Sequence, residues 1–152
     1  MPNHCHNRVT IYGSGNDTDD TRAQIAKIKA IFEDEAIFTH FIPEPNWATT
    51  PNENGELPTQ PADDNPYHMP FFKSTGNQDA RWYDWRLQHW DTKWDAYDVE
   101  VTDGDDIDGF EVEFNTAWCP PEAICHAMRE LYPDLSVSWF YDEPGCEIAG
   151  YL

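Results

Sequence analysis

Two segments in the second half of the chain alternate strictly between apolar and polar residues, which is the pattern of β-strands with one buried face. They span residues 97–103 and 109–115, and the turn-like sequence Gly104-Asp-Asp-Ile-Asp108 separates them. We therefore predict a β-hairpin. The alternation assigns five apolar side chains of this hairpin to the core: Val99, Val101, Phe110, Val112 and Phe114.

Apolar spacing and turn residues predict the other elements. The first helix should begin after Asp17 or Thr18, since either side chain can accept hydrogen bonds from the free backbone N–H groups of a first turn. The elements predicted outside the hairpin are a strand at 8–13, a helix from 19 to about 33, a buried strand at 36–42, a helix at 79–90, a helix that begins at 118–122 and ends before Pro133, and strands at 135–141 and 146–151.

The helix at 79–90 carries an aromatic stripe. Trp82, Trp85 and the pair His89 and Trp90 follow one another at helical spacing and so share one face. We expect this face to be buried against the sheet, because that is the commoner use of an aromatic stripe. The alternative is a platform for a ligand.

Residues 43–78 hold most of the twelve prolines and show neither strand nor helix periodicity. We predict a long loop here, inserted into a single domain that spans residues 1–152. A loop of this length in a compact domain is uncommon and is usually a functional or mobile insertion. Aromatic residues can pin parts of it to the body: Trp47, Tyr67, Phe71 and Phe72.

The predicted order of elements is β-α-β, then the insertion, then α-β-β-α-β-β. Strands and helices in this order indicate an α+β protein with helices on one face of a mostly antiparallel sheet. The β-β-α-β portion suits a ferredoxin-like sandwich.

Composition adds a strong negative charge to this picture. The 152 residues include 29 acidic and 9 basic side chains, a formal net charge of −20, and 39% are hydrophobic. The hydrophobic content indicates a folded protein rather than a disordered acidic tail. Direct binding to nucleic acid is disfavoured, because it needs clustered Lys and Arg to replace phosphate counterions. A protein with a basic surface is the partner that this charge favours.

The sequence contains no apolar run of about 18 residues and its first residues lack the apolar stretch of a signal peptide. We therefore expect a cytoplasmic protein that does not bind membranes.

The acidic residues concentrate on the predicted hairpin. If the apolar positions face the core, the polar positions of both strands share the opposite face and further acids occupy the tip. Like charges opposite each other destabilise a hairpin, so folding gives little reason for this arrangement. The predicted partner-binding residues are Asp98, Glu100, Asp103, Asp105, Asp106, Asp108, Glu111 and Glu113. The alternative is a solvated outer face of a generally acidic chain.

Thiol or metal chemistry is the competing interpretation. Cys119 precedes the third helix, where a helix N-terminus can lower a thiol pKa. No pair of cysteines has the close Cys-x-x-Cys spacing of structural zinc sites, and no base for Cys119 is identifiable. We predict no catalytic residue, metal or cofactor. The four cysteines are expected to be buried free thiols: Cys5, Cys119, Cys125 and Cys146.

Several short motifs resemble a known family. They are Met1-Pro-Asn, Trp82-Tyr, Thr92-Lys-Trp-Asp, Phe114-Asn-Thr-Ala-Trp-Cys-Pro-Pro, Trp139-Phe-Tyr-Asp-Glu-Pro-Gly-Cys and the terminal Ala149-Gly-Tyr. These motifs resemble the YubB-like family of plasmid and phage proteins. The resemblance covers the first strand and nearly all of residues 80–152, and it implies a ferredoxin-like domain and a bacterial host cell. It supplies no catalytic residues.

Charge and resemblance together lead to one hypothesis. The protein would be a phage or plasmid accessory protein that binds a host defence or nucleic-acid-handling protein and inhibits or modulates it, with carboxylates in place of phosphates. A small thiol-dependent or metal-dependent enzyme is the first alternative. An acidic structural module without mimicry is the second.

Overall fold

The computed structural model describes residues 3–13, 18–62, 68–103 and 109–152. Within these ranges the chain forms five strands, three α-helices and three short 3-10 turns. In chain order the elements are β1 His4–Gly13, α1 Asp19–Phe32, 3-10 turns at Phe38–His40 and Trp47–Thr49, α2 Arg81–His89, β2 Tyr97–Asp103, β3 Gly109–Ala117, α3 Glu122–Leu131, β4 Leu135–Glu143, a 3-10 turn at Pro144–Cys146 and β5 Ile148–Tyr151.

The five strands form one antiparallel sheet in the order β2-β3-β1-β4-β5. Leaving out α2 and the edge strand β5, the chain order is β-α-β-β-α-β and β1 lies between β3 and β4, which is the ferredoxin-like arrangement. The predicted α+β ferredoxin-like fold is confirmed. The predicted hairpin is confirmed as well, since β2 pairs with β3.

One face of the sheet is buried under the helices. Its side chains come from alternate positions of β1, β3 and β4 and pack against apolar residues of α1 and α3. The residues of this core include Val9, Ile11, Ile28, Phe32, Phe110, Val112, Phe114, Ile124, Met128, Val137 and Trp139. None of the described helices is long and apolar enough to cross a membrane.

Helix α1 begins at a cap that one of the two candidate residues forms. Thr18 Oγ1 accepts a hydrogen bond from the backbone N–H of Thr21 at 3.1 Å, and the backbone N–H of Thr18 donates to Thr21 Oγ1 at 3.0 Å. This reciprocal pair satisfies two backbone donors at the helix start. The other candidate, Asp17, lies outside the described residues.

The predicted strand at 36–42 is wrong, because this segment contains the 3-10 turn Phe38–His40. The carboxylate of Asp95 accepts the backbone N–H groups of Ile37 at 2.9 Å and of Phe38 at 3.1 Å. These bonds replace the ladder bonds that a strand would make. Ile37, Phe38 and Phe41 are all buried, so the segment is apolar for the same reason that a buried strand would be.

Helix α2 is placed only partly as its aromatic stripe predicts. Trp90 is buried in the core and meets the Phe38 ring edge-on, with centroids 5.6 Å apart. Trp85 packs against the core from the side. Trp82 differs, because it lines a cavity between α2 and the insertion.

The described parts of the insertion, 43–62 and 68–78, contain one 3-10 turn and two isolated β-bridges. The bridges join Phe71 to Thr59 and to Gln78. Arg81 ties the insertion to α2 by donating hydrogen bonds to the carbonyl groups of Thr50 at 2.8 Å and Pro51 at 3.1 Å. Of the aromatic residues proposed to pin this segment, Tyr67 lies outside the described residues.

Candidate functional site on the open face of the sheet

The face of the sheet opposite the core carries most of the described acidic candidates. We call it the open face, and its side chains are exposed or half-buried. Alternation along the strands, together with a register shift in β2 between Tyr97 and Glu100, places the following residues on it: His4, His6, Arg8, Thr10 and Tyr12 of β1, Tyr97, Asp98, Glu100 and Thr102 of β2, Glu111, Glu113 and Asn115 of β3, Ser138, Phe140 and Asp142 of β4, and Tyr151 of β5.

Three of the predicted acids lie close together on the open face. Glu100 of β2 and Glu113 of β3 are directly opposite each other in the strand pairing, and Glu111 lies two residues from Glu113 on the same face. Side chains in these relationships are separated by about 5 Å across strands and about 7 Å along a strand. The carboxylates therefore repel one another at short range.

A fourth predicted acid, Asp98, lies at an irregularity of β2. The pairing with β3 shifts register between Tyr97 and Glu100, and Asp98 adopts a positive φ of 52°. Its Oδ2 accepts a hydrogen bond of 3.4 Å from Nδ2 of Asn115. Alternation from Glu100 already assigns Asp98 to the open face, and the bulge brings Tyr97, opposite Asn115, to the same face.

The acids of the open face surround a base that the hairpin alone does not reveal. Arg8 lies opposite Glu113 in the pairing of β1 with β3, and its Nε donates to Glu113 Oε1 at 3.0 Å. The same Nε is 4.0 Å from Glu111 Oε1, and Nε2 of His6 is 4.0 Å from Glu113 Oε2. Arg8 thus holds two carboxylates in place while leaving the face negative.

Asp103, the next predicted acid, lies on the other side of the sheet. By alternation along β2 it lies on the same face as Val99 and Val101. It forms an ion pair with Lys29 of α1, with Oδ1 2.6 Å from Nζ. This hydrogen bond raises the pKa of Lys29. The remaining three predicted residues, Asp105, Asp106 and Asp108, lie outside the described residues.

One row of side chains crosses all five strands of the open face. The strand pairings place Glu100, Glu113, Arg8, Phe140 and Tyr151 side by side in that order. The rings of Phe140 and Tyr151 pack with centroids 5.2 Å apart, and Tyr151 is 74% exposed. The row therefore passes from carboxylates through one guanidinium to the half-buried ring of Phe140 and the exposed ring of Tyr151.

Sequence reasoning missed Arg8, Phe140 and Tyr151 as members of this face. The hairpin could be read from the alternation of its own strands, but the neighbours of β3 depend on the order of strands in the sheet. The ferredoxin-like order, which places β1 beside β3, was the signal that could have added Arg8 to the acidic group.

Most of the basic side chains bind acidic or carbonyl groups of the same chain. Side chains of the following bases lie within 4.0 Å of a carboxylate: Arg8, Arg22, Lys29, Arg81 and Arg86. Arg129 donates instead to the carbonyl groups of Val137 and Leu152. The unbalanced acids therefore dominate the outer surface.

All four cysteines are free thiols, and Cys5 and Cys125 are buried. The expected burial is wrong for Cys119 and Cys146, which are exposed because they lie outside the strands and α-helices. None of the thiols shows a sign of activation. Burial raises the pKa of Cys5 to about 11 and raises the pKa of Cys119 and of Cys125 above the ordinary value. A nucleophilic cysteine needs the opposite shift, toward the thiolate. Across the ranges that the structure describes, no three His, Cys, Asp or Glu side chains are placed to hold a metal ion.

Comparison with known proteins finds one family. Residues 88–152 match the model of the ferredoxin-like domain in Api92-like proteins. The match begins at the end of α2 and includes β2, β3, α3, β4 and β5, so it supports the ferredoxin-like fold independently of the strand order. No curated protein and no solved structure matches the chain. Kinship with the YubB-like family and a phage or plasmid origin stay predictions.

Proposed function

We propose that this protein is a YubB-like accessory protein of a phage or plasmid that acts in the cytoplasm of its bacterial host. It binds a host defence or nucleic-acid-handling protein through the open face of its sheet. The bound face takes the place of nucleic acid on the partner's basic surface and inhibits or modulates the partner. No catalytic step is part of this proposal.

The observation that carries the proposal is the group of four carboxylates on the open face, where one guanidinium contacts only two of them. The four are Asp98, Glu100, Glu111 and Glu113; Arg8 lies within 4.0 Å of Glu111 and Glu113, and Glu100 faces Glu113 directly across the strands. Like charges in this position cost folding free energy of a few tenths of a kcal/mol per pair. A binding function gives a reason for keeping them, because a basic partner neutralises the repulsion on contact.

The sheet gives these charges a fixed geometry. Strand backbones hold the Cα positions of the four acids, and the hydrogen bond from Arg8 restricts the side chain of Glu113. An acidic surface of this kind accelerates association with a basic groove and opposes association with other acidic molecules. Phe140 and Tyr151, at the other end of the row, offer the apolar contact that an electrostatic encounter needs for a long-lived complex.

The test is capture of host proteins by tagged protein from nuclease-treated bacterial lysate. The test variant carries Asp98→Asn, Glu100→Gln, Glu111→Gln and Glu113→Gln. The control variant carries Glu33→Gln, Glu35→Gln, Glu53→Gln and Glu130→Gln, at exposed positions outside the strands of the sheet. Both variants remove four negative charges, so a comparison between them separates the open face from total charge.

We expect wild type and the control variant to capture the same basic nucleic-acid-handling protein and the open-face variant to lose it. Added wild type should also displace a fluorescent DNA duplex from the purified partner, with an affinity that falls as salt rises. Equal capture by both variants would refute the proposal and favour an acidic module whose charge only maintains solubility.

A further inference from the structure

The two edge strands of the sheet differ in how readily they can pair with another strand. β2 forms one edge and β5 the other. β2 is a poor template, because its pairing with β3 shifts register after Tyr97 and three of its seven residues are acidic. Bulges and charged side chains are the usual protection of an edge strand. β5 pairs regularly with β4 and its residues, Ile148–Tyr151, are uncharged. We call the outer side of β5 the free edge.

The hydrogen bonds between β4 and β5 leave every second residue of β5 unpaired on its outer side. Leu152 donates its backbone N–H to the carbonyl of Trp139 at 3.0 Å, in register with the pairing of the two strands. In an antiparallel pair, residues that bond to the neighbouring strand alternate with residues whose N–H and C=O groups point away. Gly150 therefore bonds to β4, as Leu152 does. The backbone groups of Ala149 and Tyr151 point outward, where none of the described strands lies.

The side chains at the free edge are apolar and exposed. Tyr151 is 74% exposed, Ile148 is 45% exposed, and Ala149 between them is exposed as well. No charged residue occurs from 148 to 152, although the chain has a formal net charge of −20. An apolar edge with unpaired backbone groups is the kind of edge that accepts a strand from another chain.

A second copy of β5 matches this edge. When two copies run antiparallel about a two-fold axis at Gly150, Ala149 of each copy lies opposite Tyr151 of the other. All outward backbone groups of these two residues are then paired, in four hydrogen bonds. Gly150 faces its own copy at the axis, in the type of pair where Cα atoms approach to about 4.5 Å and side chains crowd most.

The side chains agree with the same register. On the open face the large Tyr151 side chain lies beside the small Ala149 of the second copy. On the opposite face Ile148 lies beside Leu152 of the second copy, so that one apolar side chain meets another. The strand is therefore complementary to itself.

Charge and closure favour this pairing over the pairing of β5 with β2 of another copy. Two acidic chains repel each other, so contact costs least where acids are sparse, as they are at 148–152. Pairing with β2 would place β5 beside three acids and would allow further copies to add at both ends. Pairing of β5 with β5 closes after two copies, and the edges that remain are the protected β2 strands.

We propose that the protein forms a two-fold symmetric dimer in which the β5 strands of two copies pair antiparallel and join their sheets. The pairing uses backbone groups and leaves the carboxylates of the open face uncovered, so it does not rest on the proposed function. A four-residue strand provides less contact than a standard interface, and the dimer should be weak, with a Kd on the order of 0.1–1 mM.

The test combines sedimentation equilibrium with amide hydrogen exchange, measured by NMR on ¹⁵N-labelled full-length protein. Concentrations from about 0.02 to 2 mM span the expected Kd. We expect a monomer–dimer equilibrium that tightens several-fold between about 0.05 and 0.5 M NaCl, because salt screens the repulsion between the two chains. The N–H groups of Ala149 and Tyr151 should exchange more slowly as concentration rises. Those of Gly150 and Leu152, which already bond to β4, should change less.

Ala149→Pro tests the pairing directly. It removes one outward N–H from each copy, and so two of the four bonds, while the bonds between β4 and β5 stay intact; proline is tolerated on an edge strand where its N–H would face solvent. We expect it to weaken the dimer about 10-fold or more. Ala149→Ser, which keeps the N–H, is the matched control and should dimerise like wild type.

Three results would overturn the proposal. One is a wild-type protein that stays monomeric at about 2 mM in high salt. Another is a dimer that Ala149→Pro leaves unchanged, because its interface must then lie elsewhere. The third is assembly beyond two copies, which a closed pair of β5 strands does not allow. The wild-type measurements decide the first and third questions, so the conclusion does not depend on whether the proline variant folds.

Discussion

Arg8 and Glu113 face each other across β1 and β3 and are joined by a hydrogen bond of 3.0 Å. Glu113 is also directly opposite Glu100, on its other side. Arg8 is therefore the one guanidinium in the row of five side chains that begins with the carboxylates of Glu100 and Glu113. Its contribution to stability should depend on salt more than that of an ordinary surface ion pair, because it also offsets repulsion between neighbouring acids.

Replacing Arg8 by Met tests this relationship. Exposed ion pairs contribute about 0.2–1 kcal/mol, and the Arg8 and Glu113 side chains are 52% and 35% exposed. We expect Arg8→Met to lower the free energy of unfolding by about 0.5–1 kcal/mol at low salt. At about 0.5 M NaCl, where screening is short-ranged, most of this loss should disappear. Urea unfolding at both salt concentrations provides the measurement.

Arg22→Met is the matched control for charge. Arg22 pairs with Asp19 at 3.4 Å on the surface of α1, away from the open face. Its removal should change stability less, and with a weaker dependence on salt. A loss in Arg8→Met that is equal at low and high salt would contradict the electrostatic role of Arg8 and indicate lost packing instead.

The carboxylate of Asp95 should be important for stability, because it fixes the turn that replaces the predicted strand. It accepts backbone N–H groups from Ile37 and Phe38 and also from its neighbour Ala96 at 2.8 Å. We expect Asp95→Ala to cost about 2–3 kcal/mol, since it leaves part-buried donors unsatisfied. Asp95→Asn, which keeps one acceptor oxygen, should cost less. Chemical unfolding of both variants would test this order, and equal stability of wild type and Asp95→Ala would contradict it.

The contrast between the hairpin and residues 36–42 shows how much the sequence could predict. In the hairpin, alternation in two neighbouring segments determines both the strands and the buried residues, and Phe110, Val112 and Phe114 are buried as predicted. Residues 36–42 are an apolar run without a period, and such a run suits a buried strand or a buried turn equally well. The deciding group, Asp95, lies more than fifty residues away in the chain.

The candidate site on the open face could also be predicted only where it depends on alternation within a strand. Alternation correctly places Glu100, Glu111 and Glu113 on one face, because their strands define that face. It does not identify Arg8, whose place beside Glu113 follows from tertiary strand order. The cavity next to Trp82 was not predicted either, since an aromatic stripe gives no information about which segment packs against it.

The pair of Asp79 and Arg81 predicts a pH dependence. Hydrogen bonding to Arg81 lowers the pKa of the buried Asp79 carboxyl below its usual value. The unfolded chain therefore binds this proton more readily than the folded protein. The stabilisation is present above the ordinary Asp pKa of about 3.9 and is lost as the pH falls through the lower folded pKa.

We expect Asp79→Asn to be less stable than wild type by about 2–3 kcal/mol at pH 7, because the charge-assisted hydrogen bonds to Arg81 are lost. The difference should shrink below about pH 4, where wild type must protonate Asp79 as it unfolds. Urea unfolding between pH 2.5 and 7 would follow the difference. A gap that stays constant over this range would mean that the pKa of Asp79 is the same in the folded and the unfolded protein.

Cys5 predicts the opposite dependence at alkaline pH. The thiol is fully buried on β1, and burial raises its pKa to about 11, whereas an unfolded cysteine ionises near 8.5. Between these values the unfolded chain has lost a proton that the folded protein keeps, so stability should fall as pH rises. The loss attributable to Cys5 is on the order of 3 kcal/mol by pH 11.

Cys5→Ala should be less stable than wild type at pH 7 through lost packing, yet its stability should fall less steeply between pH 8.5 and 11. Parallel curves for the two proteins in urea unfolding would show that Cys5 does not titrate on unfolding, and a steeper fall for Cys5→Ala would exclude the raised pKa altogether.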